Sequence, residues 1–207
     1  MRVISGTAGG RKLKEPTGFD IRPTSDLVKE SIFNIVQFDI EGRRVLDLFA
    51  GTGQLGIEAL SRGAKSAVFV DINQEAVRLI RENLRICGFT DSATVFMRDV
   101  LKYLERISGM SSGSDNIREP DNGALGGGTS QSRVYGKFDL IFIDAPYNTP
   151  LAGETIQKII KFDKLDTNGI IMCETEADSS LSGGSPPYFL AKEYKYGSRK
   201  ITRFYRD

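Results

Sequence analysis

The feature that most constrains this chain is an apolar strand that runs into a glycine turn and then a helix, and the repetition of that unit. Val45-Leu46-Asp47-Leu48-Phe49 is a compact apolar run, Gly51 and Gly53 follow, and Gln54 to Arg62 reads as a helix stopped by Gly63. The alternation returns with a strand over Ala67 to Val70 ending at Asp71. A helix over Gln74 to Cys87 comes next, with Val77, Ile80, Leu84 and Cys87 on one side and Gly88 as its stop. Ala93 to Met97 is the third strand, ending at Asp99, with a short helix to about Ile107. The most apolar strand, Phe138 to Ile143, leads into Asp144-Ala145-Pro146-Tyr147; a helix from about Gly153 to Phe162 and a strand over Gly169 to Glu174 follow. The final segments, Phe189 to Tyr194 and Lys200 to Tyr205, alternate and have no helix between them. Repeated βα units closed by a hairpin predict an α/β fold, a doubly wound and mostly parallel sheet with one antiparallel strand.

Two further segments flank this core. Arg2 to Ser5, a glycine-rich Gly6 to Gly10, and Arg11 to Lys14 predict a small N-terminal β-hairpin within residues 1–15. Asp26 to Phe38 predicts a helix with Leu27, Ser31, Ile35 and Phe38 at helical spacing and Thr24 or Ser25 as its cap. Residues 109–136 are rich in Gly, Ser, Asn and Asp without periodicity, and read as a flexible surface insertion. The 207 residues suit a single domain, and a monomer is expected.

Composition removes several chemistries. The chain has no histidine, which excludes imidazole bases, Ser-His nucleophiles and most zinc sites, and no metal is expected. Its two cysteines, Cys87 and Cys173, lie in apolar segments and read as free thiols of a reducing compartment. No apolar run reaches membrane-spanning length and no signal-peptide core is present, so a cytoplasmic protein is expected. Net charge is only +1, but residues 1–14 carry four basic side chains and no acid, and residues 192–207 carry six against two acids. An acidic body with basic ends suits a protein that grips phosphates.

The chemistry lies at the strand ends. Gly51-x-Gly53-x-x-Gly56 lets the backbone approach a ligand beside a helix N-terminus, and Asp71 lies 20 residues beyond Gly51. Alone this fits either a dinucleotide or S-adenosyl-L-methionine. Asp47, with Phe49 and Ala50 in the same turn, favours the latter: a carboxylate repels a pyrophosphate and attracts a sulfonium and an ammonium. Asp71 can accept ribose hydroxyls, Ile72 can pack on adenine, and Asp99 with Val100 can meet the adenine amino group. Asp144-Ala145-Pro146-Tyr147 decides the reaction. A carboxylate and a backbone carbonyl accepting both N–H groups of an aromatic amine stabilise the positive charge that develops when it is methylated. Pro146 biases residue 145 to an extended conformation, and Tyr147 offers a ring on which a flipped base can stack. Oxidoreductase chemistry on a nicotinamide is the reading from a different class, and Asp47 and the terminal hairpin disfavour it.

Taken together, Arg2-Val-Ile-Ser-Gly, Gly10-Arg-Lys-Leu, the run Arg22 to Asn34, Val45 to Gly53, Gly56 to Ala64 and the Asp144 motif resemble the bacterial 16S ribosomal RNA guanine-N2 methyltransferase family of the small ribosomal subunit. The resemblance covers the chain except for 109–136. It implies a seven-stranded class I (Rossmann-like) methyltransferase fold, methyl transfer to N2 of one guanine in 16S rRNA, and the small subunit as substrate. It also implies that Arg22 to Asn34, Thr24 included, covers the methionine end of the cofactor. The hairpin, through Arg2, Arg11 and Lys12, would touch RNA together with Arg22. Other amino-methyltransferases, acting on adenine or protein glutamine, share the strand-four motif. The family has Asp-Pro-Pro-Tyr where this chain has Ala145, and often Glu where it has Asp71.

Overall fold

The computed structural model describes residues 1–16, 26–108, 136–182 and 184–207. Its strands are β1 (Arg44–Leu48), β2 (Ser66–Asp71), β3 (Ala93–Met97), β4 (Phe138–Asp144), β5 (Leu165–Glu176), β6 (Tyr188–Tyr196) and β7 (Arg199–Arg206). They form one seven-stranded sheet in the order β3-β2-β1-β4-β5-β7-β6. Pairing is parallel from β3 through to β5, and β7 runs antiparallel to both β5 and β6. The expected doubly wound sheet with a terminal antiparallel strand is therefore present.

The described helices are α1 (Asp26–Ile35), α2 (Gln54–Ser61), α3 (Gln74–Cys87), α4 (Val100–Ser108) and α5 (Leu151–Lys161). Residues of α1, α2 and α3 bury one face of the sheet around Val45, Phe69, Phe142 and Met172. α4 and α5 bury the other around Leu46, Val68, Ile141 and Ile143. Strands covered on both faces need no polar alternation, which is why β1, β2 and β4 read as largely apolar runs, interrupted within only by Asp47 in β1 and Asp139 in β4. Helix α3 starts where the Asn73 side chain accepts from the amides of Glu75 at 2.8 Å and Ala76 at 3.2 Å, and stops at Gly88 with φ 78°. Among the described residues no helix is long and apolar enough to cross a membrane. Both cysteines are free and buried.

Two expectations change, those for α1 and β5. Helix α1 stops at Ile35 and turns a different face inward: Val28, Ile32 and Phe33 are buried, whereas Leu27 is 67% and Phe38 is 93% exposed. Phe33 lies 5.5 Å from Phe142 and carries the Arg62 guanidinium on its ring at 4.8 Å, so aromatic packing set the buried face. The N-terminal hairpin is present but short, an antiparallel bridge of Arg2 with Lys12 and three backbone bonds between its arms (Val3 to Arg11, Gly10 to Val3, Leu13 to Met1), and it is also held by helix side chains. The amides of Ile4 and Ser5 donate to Glu58 at 2.7 and 3.0 Å, and that of Ala8 donates to Ser61 Oγ at 2.9 Å. Strand β5 begins earlier than expected, at Leu165, and a register shift against β4 accommodates Asn168 at φ 58°. The expected cap at Thr24 or Ser25, Arg22 and residues 109–135 of the insertion lie outside the described residues.

Candidate active site

Parallel strands bring their carboxyl ends to one edge, and a cavity of about 660 Å³ opens there above β1, β2 and β4. Asp47, Asp71, Asp99 and Asp144 stand around it, each at or beside the tip of a different strand. Phe49, Ala50, Gly51, Ile72, Val100 and the segment Ala145 to Tyr147 also line it, so these sequence-predicted residues converge. Gly53 does not line the cavity. Its left-handed backbone, φ 78°, makes the turn into α2, a conformation that glycine adopts without strain. Phe49 also has a left-handed backbone, φ 59°, which costs a non-glycine residue about 1–2 kcal/mol at the cavity wall.

Asp47 is 1% exposed, and its Oδ2 accepts the Gly56 amide at 2.9 Å. Burial, reinforced by the charges of Asp144 and Asp71 and opposed by the Gly56 bond, holds its carboxyl well above the ordinary range. Gly56 is obligatory for a reason the fingerprint does not state: a Cβ there would lie 2.3 Å from Phe69 Cε1 and 3.1 Å from Asp47 Oδ2. Asp71 does not cap α3, a role taken by Asn73. It is oriented by the Gly51 amide on Oδ2 and the Asn73 amide on Oδ1, both at 2.8 Å. Asp99 caps α4 through Oδ1, which accepts the Lys102 amide at 2.9 Å, and so takes the structural role while still facing the cavity. Asp47, crowded by the charges of Asp144 and Asp71 on the same cavity, leaves a demand for positive charge, which a sulfonium and an ammonium would meet.

Just beyond β4, Ala145 is buried and Tyr147 is half-buried. The Tyr147 hydroxyl donates to Glu174 Oε1 at 2.6 Å, and the Arg199 guanidinium pairs with the same carboxylate and lies 5.5 Å from the ring centroid. Burial and the Glu174 carboxylate push the phenol above its ordinary pKa, so Tyr147 is neutral and cannot serve as a base. Glu174 and Arg199 were not legible as site residues. Thr52, Gln54, Leu55, Asn73, Ala76 and Leu151, also missed, line the cavity; the first three are the variable positions between the glycines of the motif.

The hairpin residues stand apart from this cavity. Arg2 and Lys12 are exposed and opposite each other. Arg11 Nη1 donates to the Ile86 carbonyl at 2.6 Å, near the C-terminal end of α3, where a cation is also favoured by the helix dipole. Asn83, fully buried in α3, joins the hairpin to the glycine turn: its Oδ1 accepts the Lys14 amide at 2.7 Å and its Nδ2 donates to the Thr52 carbonyl at 3.0 Å.

Known proteins resemble this chain in sequence and in fold. A family model described as "Conserved hypothetical protein 95" matches residues 1–118 and 112–205. Bacillus subtilis YlbH is 34% identical over 197 residues, 95% of this chain and 94% of that one. Ribosomal RNA small subunit methyltransferase D of Haemophilus influenzae is 32% identical over 183 residues, 87% of this chain and 81% of that one. Among solved structures, yhhF from Escherichia coli aligns with TM-score 0.78 at 25% identity, covering 100% of this chain and 98% of that one. With a model spanning nearly the whole chain and relatives matched along most of their length, the chain belongs to the family of ribosomal RNA small subunit methyltransferase D.

Proposed function

We propose that this protein transfers a methyl group from S-adenosylmethionine to ribosomal RNA of the small subunit in the cytoplasm, and that the acceptor is the N2 amino group of a guanine in 16S rRNA. The observation that carries the reading is the group of buried and half-buried acids Asp47, Asp71 and Asp144 on one cavity, followed directly by Ala145-Pro146-Tyr147. The names of the family relatives support the rRNA substrate.

When bound, S-adenosylmethionine supplies an electrophilic methyl group on a cationic sulfur. The residues present fit it: Asp47 and Asp144 would offset its positive charge, and Asp71, already oriented by two backbone amides, has further acceptor capacity for ribose hydroxyls. Ile72, 68% exposed, offers an apolar surface for adenine. Asp144 and the Ala145 carbonyl would accept the two N–H groups of the acceptor amine, drawing its lone pair out of conjugation and stabilising charge on nitrogen. The ring of Tyr147 would stack on the extruded base, an interaction worth ~1–3 kcal/mol. No base stronger than these carboxylates is required, because the methylated amine is acidic enough to lose its proton. Arg2 and Lys12, both exposed on the hairpin, would meet RNA phosphates; Arg22 and Thr24, which the resemblance assigns to RNA and to the cofactor, lie outside the described residues.

The test is label transfer from tritiated S-adenosylmethionine to small subunits that lack the modification, with Asp144→Ala as control. Label recovered as N2-methylguanine in 16S rRNA, and lost in the variant, is the expected outcome. Label on adenine or on a ribosomal protein would overturn the guanine assignment; transfer undiminished in the variant would overturn the role of Asp144.

A further inference from the structure

Tyr147 follows the end of β4 in a loop, and a loop aromatic is free to change rotamer unless something holds it. Here two groups from other strands hold it. Glu174 sits on β5 as the register partner of Asp144 and is 2% exposed, so its carboxylate is fixed by the sheet. Its Oε1 accepts the Tyr147 hydroxyl at 2.6 Å and also the Arg199 guanidinium from β7. Arg199 in turn lies over the Tyr147 ring, its central carbon 5.5 Å from the centroid, while Tyr147 itself borders the cavity.

We propose that Glu174 and Arg199 are positioning residues for the nucleic-acid substrate, acting through Tyr147: they fix its ring in the orientation that receives the target base. The inference rests on the reading of Tyr147 as the stacking surface. Two observations argue that the arrangement serves more than cohesion between β5 and β7. Glu174 Oε2 is buried with no hydrogen-bond partner, a penalty that an apolar residue of the same shape would avoid. Both donors also converge on the single oxygen Oε1, which ties the ring to the ion pair and leaves Oε2 unused. A ring held in place before the base arrives gives up less entropy on binding, so the benefit falls on recognition of the base and leaves cofactor binding alone.

The experiment is a double-mutant cycle on the intact protein. Methyl transfer to unmodified small subunits is measured for wild type, Tyr147→Ala, Tyr147→Phe, Arg199→Met and the pair Arg199→Met with Tyr147→Ala. Cofactor affinity and thermal midpoint are recorded for each. Removing the ring should lower kcat/KM for subunits roughly tenfold or more, in line with loss of one base stack. Arg199→Met should lower it about fivefold or more, with S-adenosylmethionine affinity within about twofold, and should add less than about twofold once Tyr147 is alanine. Tyr147→Phe, which keeps the ring and loses its anchor, should fall between wild type and Tyr147→Ala. A fivefold loss from Arg199→Met that persists in the Tyr147→Ala background would overturn the proposal, because Arg199 would then act on its own. So would an Arg199→Met variant as active as wild type. If Tyr147→Ala binds cofactor and methylates subunits normally, the stacking reading itself fails, and the proposal with it. Should Arg199→Met not fold, Arg199→Lys, which keeps the charge without the plane, takes its place in the cycle with the same outcomes.

Discussion

Gly56→Ala separates two physical expectations by sign. Gly56 lies inside α2, and helix propensity alone makes the substitution stabilising by about 1 kcal/mol. The surroundings point the other way. The added methyl would sit 2.3 Å from Phe69 Cε1 and 2.6 Å from Cζ, about an ångström inside ordinary contact. Phe69 is fully buried in β2, in a core packed at the density of protein interiors, so its ring has little room to move aside. Overpacking of this kind costs about 1–3 kcal/mol, and the severity of the overlap puts it at the upper end, for a net loss of about 1–2 kcal/mol. With a urea slope near 2 kcal/mol/M the unfolding midpoint should fall by about 0.5–1 M. Because the methyl also lies 3.1 Å from Asp47 Oδ2, cofactor affinity measured by calorimetry should fall with it. Gly51→Ala is the control: nothing lies within 4 Å of its Cβ, so only the left-handed strain at φ 55°, about 1–2 kcal/mol, acts there. A midpoint for Gly56→Ala at or above wild type would refute the packing argument.

Other substitutions test the electrostatics and the hairpin. Asp47→Asn should weaken cofactor binding yet stabilise the free protein. A buried carboxyl whose pKa is raised destabilises the fold as pH climbs from the ordinary carboxylate range, about 4, through the raised value. The gap in thermal midpoint over wild type should therefore widen with pH and vanish near pH 4; a constant gap would contradict the assignment. In wild type, cofactor affinity should rise with pH over the same window, since a cation favours the ionised form. Asn83→Ala strips partners from the Lys14 amide and the Thr52 carbonyl, at about 2–3 kcal/mol, and should speed amide exchange across residues 1–14. Unchanged exchange there would show that Asn83 does not anchor the hairpin. Ala145→Pro, which restores the family pattern and stiffens the loop, should raise turnover about two- to fivefold if preorganisation is worth ~0.4–1 kcal/mol; equal turnover would remove that argument.

Local signals made much of the fold legible. The end of α3 follows from the Gly88 stop, whereas its Asn73 cap was not read, and β1, β2 and β4 follow from largely apolar runs buried on both faces. The buried face of α1 was misread because periodicity admits Leu27-Ser31-Ile35-Phe38 as readily as Val28-Ile32-Phe33; the choice was made by Phe142 and Arg62, distant in sequence. At the site, the residues adjacent to glycine turns and strand tips were readable because chain geometry places them there. Glu174 and Arg199 were not, since the pairing of β5 with β7 and the turn beyond Tyr147 together create their contact. The role of Gly56 was half-read: a phosphate-type fingerprint named it, while the reason it must be glycine is a phenylalanine on β2.

The strand order carries a consequence for biosynthesis. β7 follows β6 in the chain but lies inside it, between β5 and the sheet edge. During translation β6 therefore emerges with no neighbour to pair with, and its partner is the next strand to be made. Until β7 has cleared the exit tunnel, β5 presents a bare edge and Glu174 has no counter-ion. A half-made chain could thus have its glycine turn and acids in place while the support behind Tyr147 is still missing.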